Sequence, residues 1–187
     1  FANNKRPLVT PQDFSGLKIR TQQIPAQMEL VRGQGATPTA VSWPEVYTAL
    51  QTGVVDGAEL PVIGAVAQNH HEVVRYITLD RHLYSPMFIV VNEKWYQALP
   101  EDLQGAVDTA GIMAATASRG VTQYTLNKVI GFFEDEGIEV TTLTDAQRDV
   151  LRTNSYDKVR EWLVERIGER WVTDYERAVV TKSCQNC

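Results

Sequence analysis

Apolar and polar positions change rhythm several times along the chain, and each change predicts an element. In GLKIRT, Gly16 to Thr21, Leu17 and Ile19 alternate with Lys18 and Arg20, the period of a strand whose two faces differ. PAQMELVRGQG follows as a helix that stops in glycines, and TPTAV, Thr37 to Val41, is the next strand. In SWPEVYTALQTG, Ser42 is an N-cap, Pro44 lies in the first turn and Glu45 stands three residues on, which predicts a capping box. Val46 and Leu50 form that helix's apolar stripe and Gly53 ends it. VVDGAEL reads as a short buried strand, and PVIGAVAQNHHEVV begins a helix with proline at its start.

The second half is mostly helix. RYITLDRHLYSPMFIVVNEKWY is strand-rich and divided by Pro86, and its run MFIVVN suits a strand covered on both faces. A long helical region runs from Leu99 to Gly137, then IEVTTL is a strand. Thr144 with Gln147 three residues later makes a second capping box. The remainder is helical and amphipathic, with Leu151, Val159, Leu163 and Ile167 on its buried side. Alternating strands and helices predict an α/β sheet with parallel pairings. No internal repeat or low-complexity linker divides the chain.

Composition narrows the partners. The 187 residues are 43% apolar and 22% charged, enough for one sizeable core or two small lobes. A formal charge of -5 with no basic stripe argues against nucleic acid and anionic membrane. No apolar stretch approaches the ~20 residues of a membrane-spanning helix. The opening FANNKRPLVTPQDFSG is polar and turn-rich and does not read as a targeting segment, so the chain is expected to be a mature product or a piece of a longer one. Cys184 and Cys187 in the terminal SCQNC cannot complete a four-ligand zinc site alone and read as two tail thiols or a local disulfide.

Motifs for catalysis are thin. There is no GxSxG elbow, P-loop, GxGxxG or HExxH. His70 and His71 are adjacent on a predicted helix and point about a quarter-turn apart, so they cannot clamp one metal together. With Glu72 and His82 they form part of a site or, on the plainer reading, a solvated helix end. Asp56 and Glu59 are either an acid–base pair or a turn. Arg20 ends a strand, where an α/β sheet gathers ligands, and its fork matches a carboxylate; it is otherwise a surface charge. Trp43 either floors a pocket or packs as a staple.

Taken together, GLKIR, GATPTAVSWPEVYTALQTGVVDGAELP and HEVVRYITLDRHLYSPMFIVVNEKWYQALPEDLQGAV resemble the substrate-binding proteins of tripartite ATP-independent periplasmic (TRAP) transporters, the DctP-like family. The match runs from about Asn4 to Phe133. The resemblance implies a two-lobed periplasmic binding protein-like α/β fold, here incomplete, with long C-terminal helices. It implies a ligand-binding lobe II from residues 1–85 and 134–152, a crossover and remaining part of lobe I in 86–133, and C-terminal helices in 153–187 packing across the lobes. It further implies a periplasmic receptor, not an enzyme, that takes a small organic acid to the membrane permease subunits of a TRAP transporter, with no cofactor or metal. The residues implied in ligand binding are Arg20 as the carboxylate's salt-bridge partner, Trp43 lining the pocket, the Glu59–Leu60 pair after Asp56-Gly57, and Tyr84 at the cleft border.

Two departures from the family pattern carry expectations. Members are longer at the N-terminus, so the opening units of the first lobe are expected to be missing here, and exposed apolar faces would then need another chain to cover them. Oligomers become possible on that reading. Leu60 stands where asparagine is common, and it supplies neither donor nor acceptor. That substitution predicts a ligand less hydroxylated near this wall, and Glu59 is expected to orient Arg20. An enzyme acting on a small carboxylate, or a sensory domain with the same fold, are the alternatives.

Overall fold

The computed structural model describes residues 1–183. Six short strands make one sheet: β1 (Ala2–Asn3), β2 (Lys18–Thr21), β3 (Thr37–Ala40), β4 (Gly57–Ala58), β5 (Tyr76–Leu79) and β6 (Glu139–Thr142). Their order across the sheet is β3-β2-β4-β1-β5-β6. β2 pairs in parallel with β3 and β4, and β5 pairs in parallel with β6. β1 lies in the middle and runs antiparallel to both β4 and β5. Parallel neighbours need crossovers, and the intervening helices supply them.

The helices are α1 (Pro11–Phe14), α2 (Pro25–Gly33), α3 (Val46–Gln51), α4 (Val62–Ala67), α5 (Glu93–Gln97), α6 (Glu101–Asp135), α7 (Asp145–Ile167) and α8 (Glu169–Ser183). Short 3₁₀ turns precede α3, at Trp43–Glu45, and follow α4, at His70–Val73. Apolar side chains gather in two clusters. One joins Val46, Leu50, Val55, Ala58, Leu60, Ile77 and Phe133, and the other joins Leu8, Phe14, Ile19, Val31, Leu143 and Leu151. Only the C-terminal end of the 35-residue α6 enters this core, through Val129 and Phe133.

The central strand is the element the residue pattern hides. Its two residues are too few to show a period, and Asn3 is polar. Asn3 is nevertheless fully buried, and its side chain is satisfied locally: Oδ1 accepts from the backbone N–H of Lys5 (2.8 Å) and Arg6 (3.0 Å), and Nδ2 donates to the Arg6 carbonyl (2.8 Å). That Asx-type turn carries the chain out of the sheet at the cost of no unpaired polar atom on Asn3. Gly57 opposes it: a Cβ there would lie 2.5 Å from the Ala2 carbonyl oxygen and 2.6 Å from Asn3 Cβ.

Other expectations meet the structure unevenly. The Thr144–Gln147 box forms, with Thr144 N–H donating to Gln147 Oε1 at 2.9 Å and Gln147 N–H donating to Thr144 Oγ1 at 3.3 Å. The Ser42–Glu45 box does not; Ser42 Oγ bonds the Glu45 carboxylate at 2.5 Å and caps a 3₁₀ turn without holding a backbone N–H. The terminal helical stretch breaks at Gly168 (φ 85°), and α8 turns back along α7, where Arg160 meets Glu169 at 2.5 Å and Glu176 at 2.9 Å. Of its predicted buried side, Leu151 is buried, Val159 and Leu163 are half-buried, and Ile167 is exposed.

The larger correction concerns MFIVVN, expected as a strand covered on both faces. Met87, Phe88 and Val90 are 93%, 79% and 83% exposed, in a segment without regular structure. An apolar run becomes a strand only where a neighbour accepts its hydrogen bonds, and the sheet brings none to it among the described residues. Cys184 and Cys187 lie outside the described residues. No helix among the described residues is long and apolar enough to cross a membrane.

Gly57→Ala is expected to destabilise the chain by about 1–3 kcal/mol, because the added carbon overpacks the β1–β4 contact. Gly105, a helical glycine with nothing within 4 Å of its would-be Cβ, is the control. Gly105→Ala should leave stability unchanged or raise it. Urea unfolding midpoints compare the two.

Candidate functional site

The site is built at the carboxyl ends of three neighbouring strands. Arg20 is the third residue of β2, paired with Thr39 of β3 on one side and Ala58 of β4 on the other. Its alternation with Ile19 does not put it in solvent: it is 1% exposed, while Lys18 is exposed. Arg20 Nε donates to the carbonyl of Val41 at 3.0 Å, just past β3, and Nη1 donates to the carbonyl of Glu59 at 3.2 Å, just past β4. The guanidinium therefore staples three strand ends, and backbone carbonyls occupy Nε and one N–H of Nη1 among its five N–H donors. Nη2 takes no protein acceptor among the described residues.

Trp43 covers one face of this group, with the guanidinium carbon 5.4 Å from the ring centroid. The 3₁₀ turn Trp43–Glu45 sets the indole there, immediately after β3. A cation over an indole is favourable, yet it is no substitute for an anion. No carboxylate lies within 4.0 Å of Arg20 among the described residues. Burial pulls the Arg20 guanidinium below its ordinary pKa, and the nearby Glu59 charge opposes that pull. The group stays charged, so the chain holds a desolvated cation with carbonyls and an aromatic face around it.

Glu59 is 4% exposed. It was expected to orient Arg20, and it does so with its backbone carbonyl; its carboxylate faces away to His82, at 3.6 Å from Nε2. His82 Nδ1 bonds Asp80 at 2.8 Å, and the Phe1 ring stacks on the imidazole at 4.5 Å. Arg81 between them has φ 55°, and that left-handed residue folds the chain so that side chains two apart meet. Burial disfavours the charged imidazole, but the bond to Asp80 and the nearby Glu59 carboxylate outweigh it and hold the His82 pKa above its ordinary value. Glu59 Oε2 and His82 Nε2 are buried without a hydrogen-bond partner among the described residues.

The remaining candidates separate. Asp56 accepts from the Lys18 N–H at 2.9 Å and meets Lys5 at 3.3 Å, so it caps a turn and serves partners different from those of Glu59. His70 is not part of a solvated helix end: it is 2% exposed and sits edge-on to Trp43, centroids 4.9 Å apart. Burial first, then the charges of Arg20 and His71, lower its pKa. Leu60 is 8% exposed and belongs to the apolar cluster with Ala65, Ile77 and Phe133. Tyr84 is 88% exposed, in the irregular segment, and is not brought into the buried cluster. The residues that sequence reasoning missed are Asp80 and the Val41 carbonyl, because neither a backbone oxygen nor an aspartate at a strand exit carries a pattern. No group of three or more His, Cys, Asp or Glu among the described residues is arranged to hold a metal ion.

With this geometry in place, the comparisons with known proteins agree on one family. Residues 1–165 match the family described as DctP: Bacterial extracellular solute-binding protein, family 7. The chain is 30% identical over 167 residues to the 2,3-diketo-L-gulonate-binding periplasmic protein YiaO of Escherichia coli, covering 89% of this chain and 50% of that protein. It superposes with a TM-score of 0.86 and 26% identity on a TRAP periplasmic solute binding protein of Chromohalobacter salexigens with bound D-glucuronate, covering 95% of this chain and 58% of that one. A TRAP periplasmic solute binding protein of Ralstonia eutropha with bound (S)-2-acetolactate gives a TM-score of 0.86 at 26% identity, covering 96% and 59%. The chain thus spans about half the length of the relatives it matches.

A raised folded-state pKa at His82 contributes stability that is fully present below about pH 6.5 and is lost as pH rises through the folded value. His70, whose pKa is lowered, contributes in the opposite sense, losing stability as pH falls. The stability difference between wild type and His82→Gln isolates the first effect. It should be largest near about pH 5.5 and shrink toward about pH 8.5, read by urea unfolding across that range.

Proposed function

The chain belongs to the family 7 bacterial extracellular solute-binding proteins, and from that premise we propose that it grips a small organic acid on Arg20 as part of a periplasmic receptor. The family is one of binding proteins, not enzymes. The observation that supports the reading is the buried Arg20 cation without a carboxylate at ion-pair distance among the described residues. Burying a charge is costly unless it is paired, and an incoming carboxylate supplies the pair. The relatives' named ligands, 2,3-diketo-L-gulonate, D-glucuronate and (S)-2-acetolactate, each carry a carboxylate.

Approach geometry follows from what is already occupied. Trp43 blocks one face of the guanidinium, and the carbonyls of Val41 and Glu59 take Nε and part of Nη1. The remaining N–H groups point along the guanidinium plane, where a carboxylate can accept two parallel bonds. Leu60 forms an apolar wall beside this anchor, Glu59 holds the anchor through its carbonyl, and Tyr84 joins the site only when a second lobe closes.

Residues 1–85 with 134–152 form the ligand-binding lobe on this reading, 86–133 the crossover and part of the other lobe, and 153–187 the helices that pack across both. Closure around the acid changes the surface presented to the permease of a TRAP transporter, which takes the ligand across the membrane.

Two measurements test the reading. A thermal-shift series with D-glucuronate, (S)-2-acetolactate and plain aliphatic acids finds a ligand, because an acid that binds the native state raises the melting temperature. Calorimetric titration with that acid should then show at least a tenfold loss for Arg20→Lys, about 1.4 kcal/mol, since lysine lacks the planar fork. Equal affinities would remove Arg20 from the site. Leu60→Asn places an amide in the apolar cluster and should cost about 1–3 kcal/mol of stability. At matched folding, it should shift the affinity ratio toward hydroxylated acids; an unchanged ratio takes Leu60 out of the specificity wall.

A further inference from the structure

Two residues that no pocket motif contains pack against the Trp43 indole. Gly64 is the third residue of α4, where alanine is the stronger helix former. A Cβ on Gly64 would lie 3.0 Å from Cγ of Pro61 and 3.2 Å from both Cζ2 and Cη2 of Trp43, tighter than ordinary carbon contacts. The missing side chain is therefore the notch that admits the six-membered ring. His70 closes the notch from another direction, with its ring at 79° to the indole. Asn69 stands before it at φ 55°, a left-handed residue that turns the chain inward and starts the 3₁₀ turn carrying His70. His70 Nδ1 is buried without a hydrogen-bond partner among the described residues, an arrangement that packing alone would not favour.

We propose that Gly64 and His70 are positioning residues of the binding site, which together hold the Trp43 indole over the face of the Arg20 guanidinium. The inference rests on Arg20 as the carboxylate anchor. Its consequence is directional: with the indole locked over one face, that face is closed to an anion, and the free N–H groups lie in the guanidinium plane. A planar carboxylate satisfies that approach with two parallel bonds. The notch thus acts on the affinity for a carboxylate without either residue touching the ligand.

The test is a double-mutant cycle on the 187-residue chain. Gly64→Ala should lower the melting temperature in the wild-type background and lower it less beside Trp43→Phe, because phenylalanine does not reach the notch while the Pro61 contact remains. In calorimetric titration with D-glucuronate, Gly64→Ala and His70→Ala should each weaken binding at least about fivefold beside Trp43 and have no effect beside Trp43→Phe. His70→Phe, which restores an aromatic edge, should recover most of the loss. Additive effects in both measurements overturn the proposal. If the unfolding cycle shows coupling but Arg20→Lys binds D-glucuronate as well as wild type does, or wild type binds no carboxylate, the anchor reading fails. The positioning role then falls with it, leaving only packing. Coupling in the unfolding cycle without coupling in binding also overturns it.

Discussion

Arg20 is a full positive charge taken almost entirely out of water, and the surrounding structure is arranged around the need to hold it. The guanidinium does this with backbone, not with acid: carbonyls at the ends of β3 and β4 accept its hydrogen bonds, so the two strands flanking β2 are fixed at the same level. Trp43 then closes one face. The outcome is a cation that is oriented, desolvated and not neutralised. On the proposed reading, an acidic side chain in ion-pair contact would have to be displaced before a ligand carboxylate could bind.

Glu59 shows how the conflict is resolved. It stands next to the anchor in space and in chain, and its charge does favour the cation. Its carboxylate is nonetheless drawn to His82, which Asp80 holds from the other side. The imidazole and the Glu59 carboxylate meet at 3.6 Å, and no carboxylate lies within 4.0 Å of the guanidinium among the described residues. Two buried acids and a half-buried imidazole therefore share one arrangement, and the left-handed Arg81 is the local backbone feature that lets Asp80 and His82 meet. Leu60, one residue further on, continues into the apolar cluster, so the segment from Asp56 to Leu60 divides its side chains between a turn, a charge cluster and the core.

Much of the scaffold was legible from the residues. β2, β3, β5 and β6, the helices between them and the Thr144 capping box follow from period and turn chemistry, because each is decided within a few neighbouring residues. Arg20 and Trp43 stood out for the same reason, one at a strand end and one at a helix start. β1 was hidden since two residues show no period, and MFIVVN misled because a continuous apolar run specifies dislike of water and not a partner. His70 looked like a surface histidine beside His71, and only the approach of α4 and the Trp43 turn buries it.

By itself, then, the sequence determined the α/β alternation, the family resemblance and the residue types able to hold a carboxylate, all properties of short windows. The tertiary structure decided what those residues do. It showed that the Glu59 carbonyl holds Arg20 while the carboxylate serves His82, that Asp56 and Glu59 have separate partners, and that Gly64 is a notch for an indole twenty-one residues earlier in the chain. Each depends on distances between segments far apart in sequence. Hydrogen bonds and packing act over a few ångströms in space, and local patterns along the chain carry no record of which distant segments will come within that range.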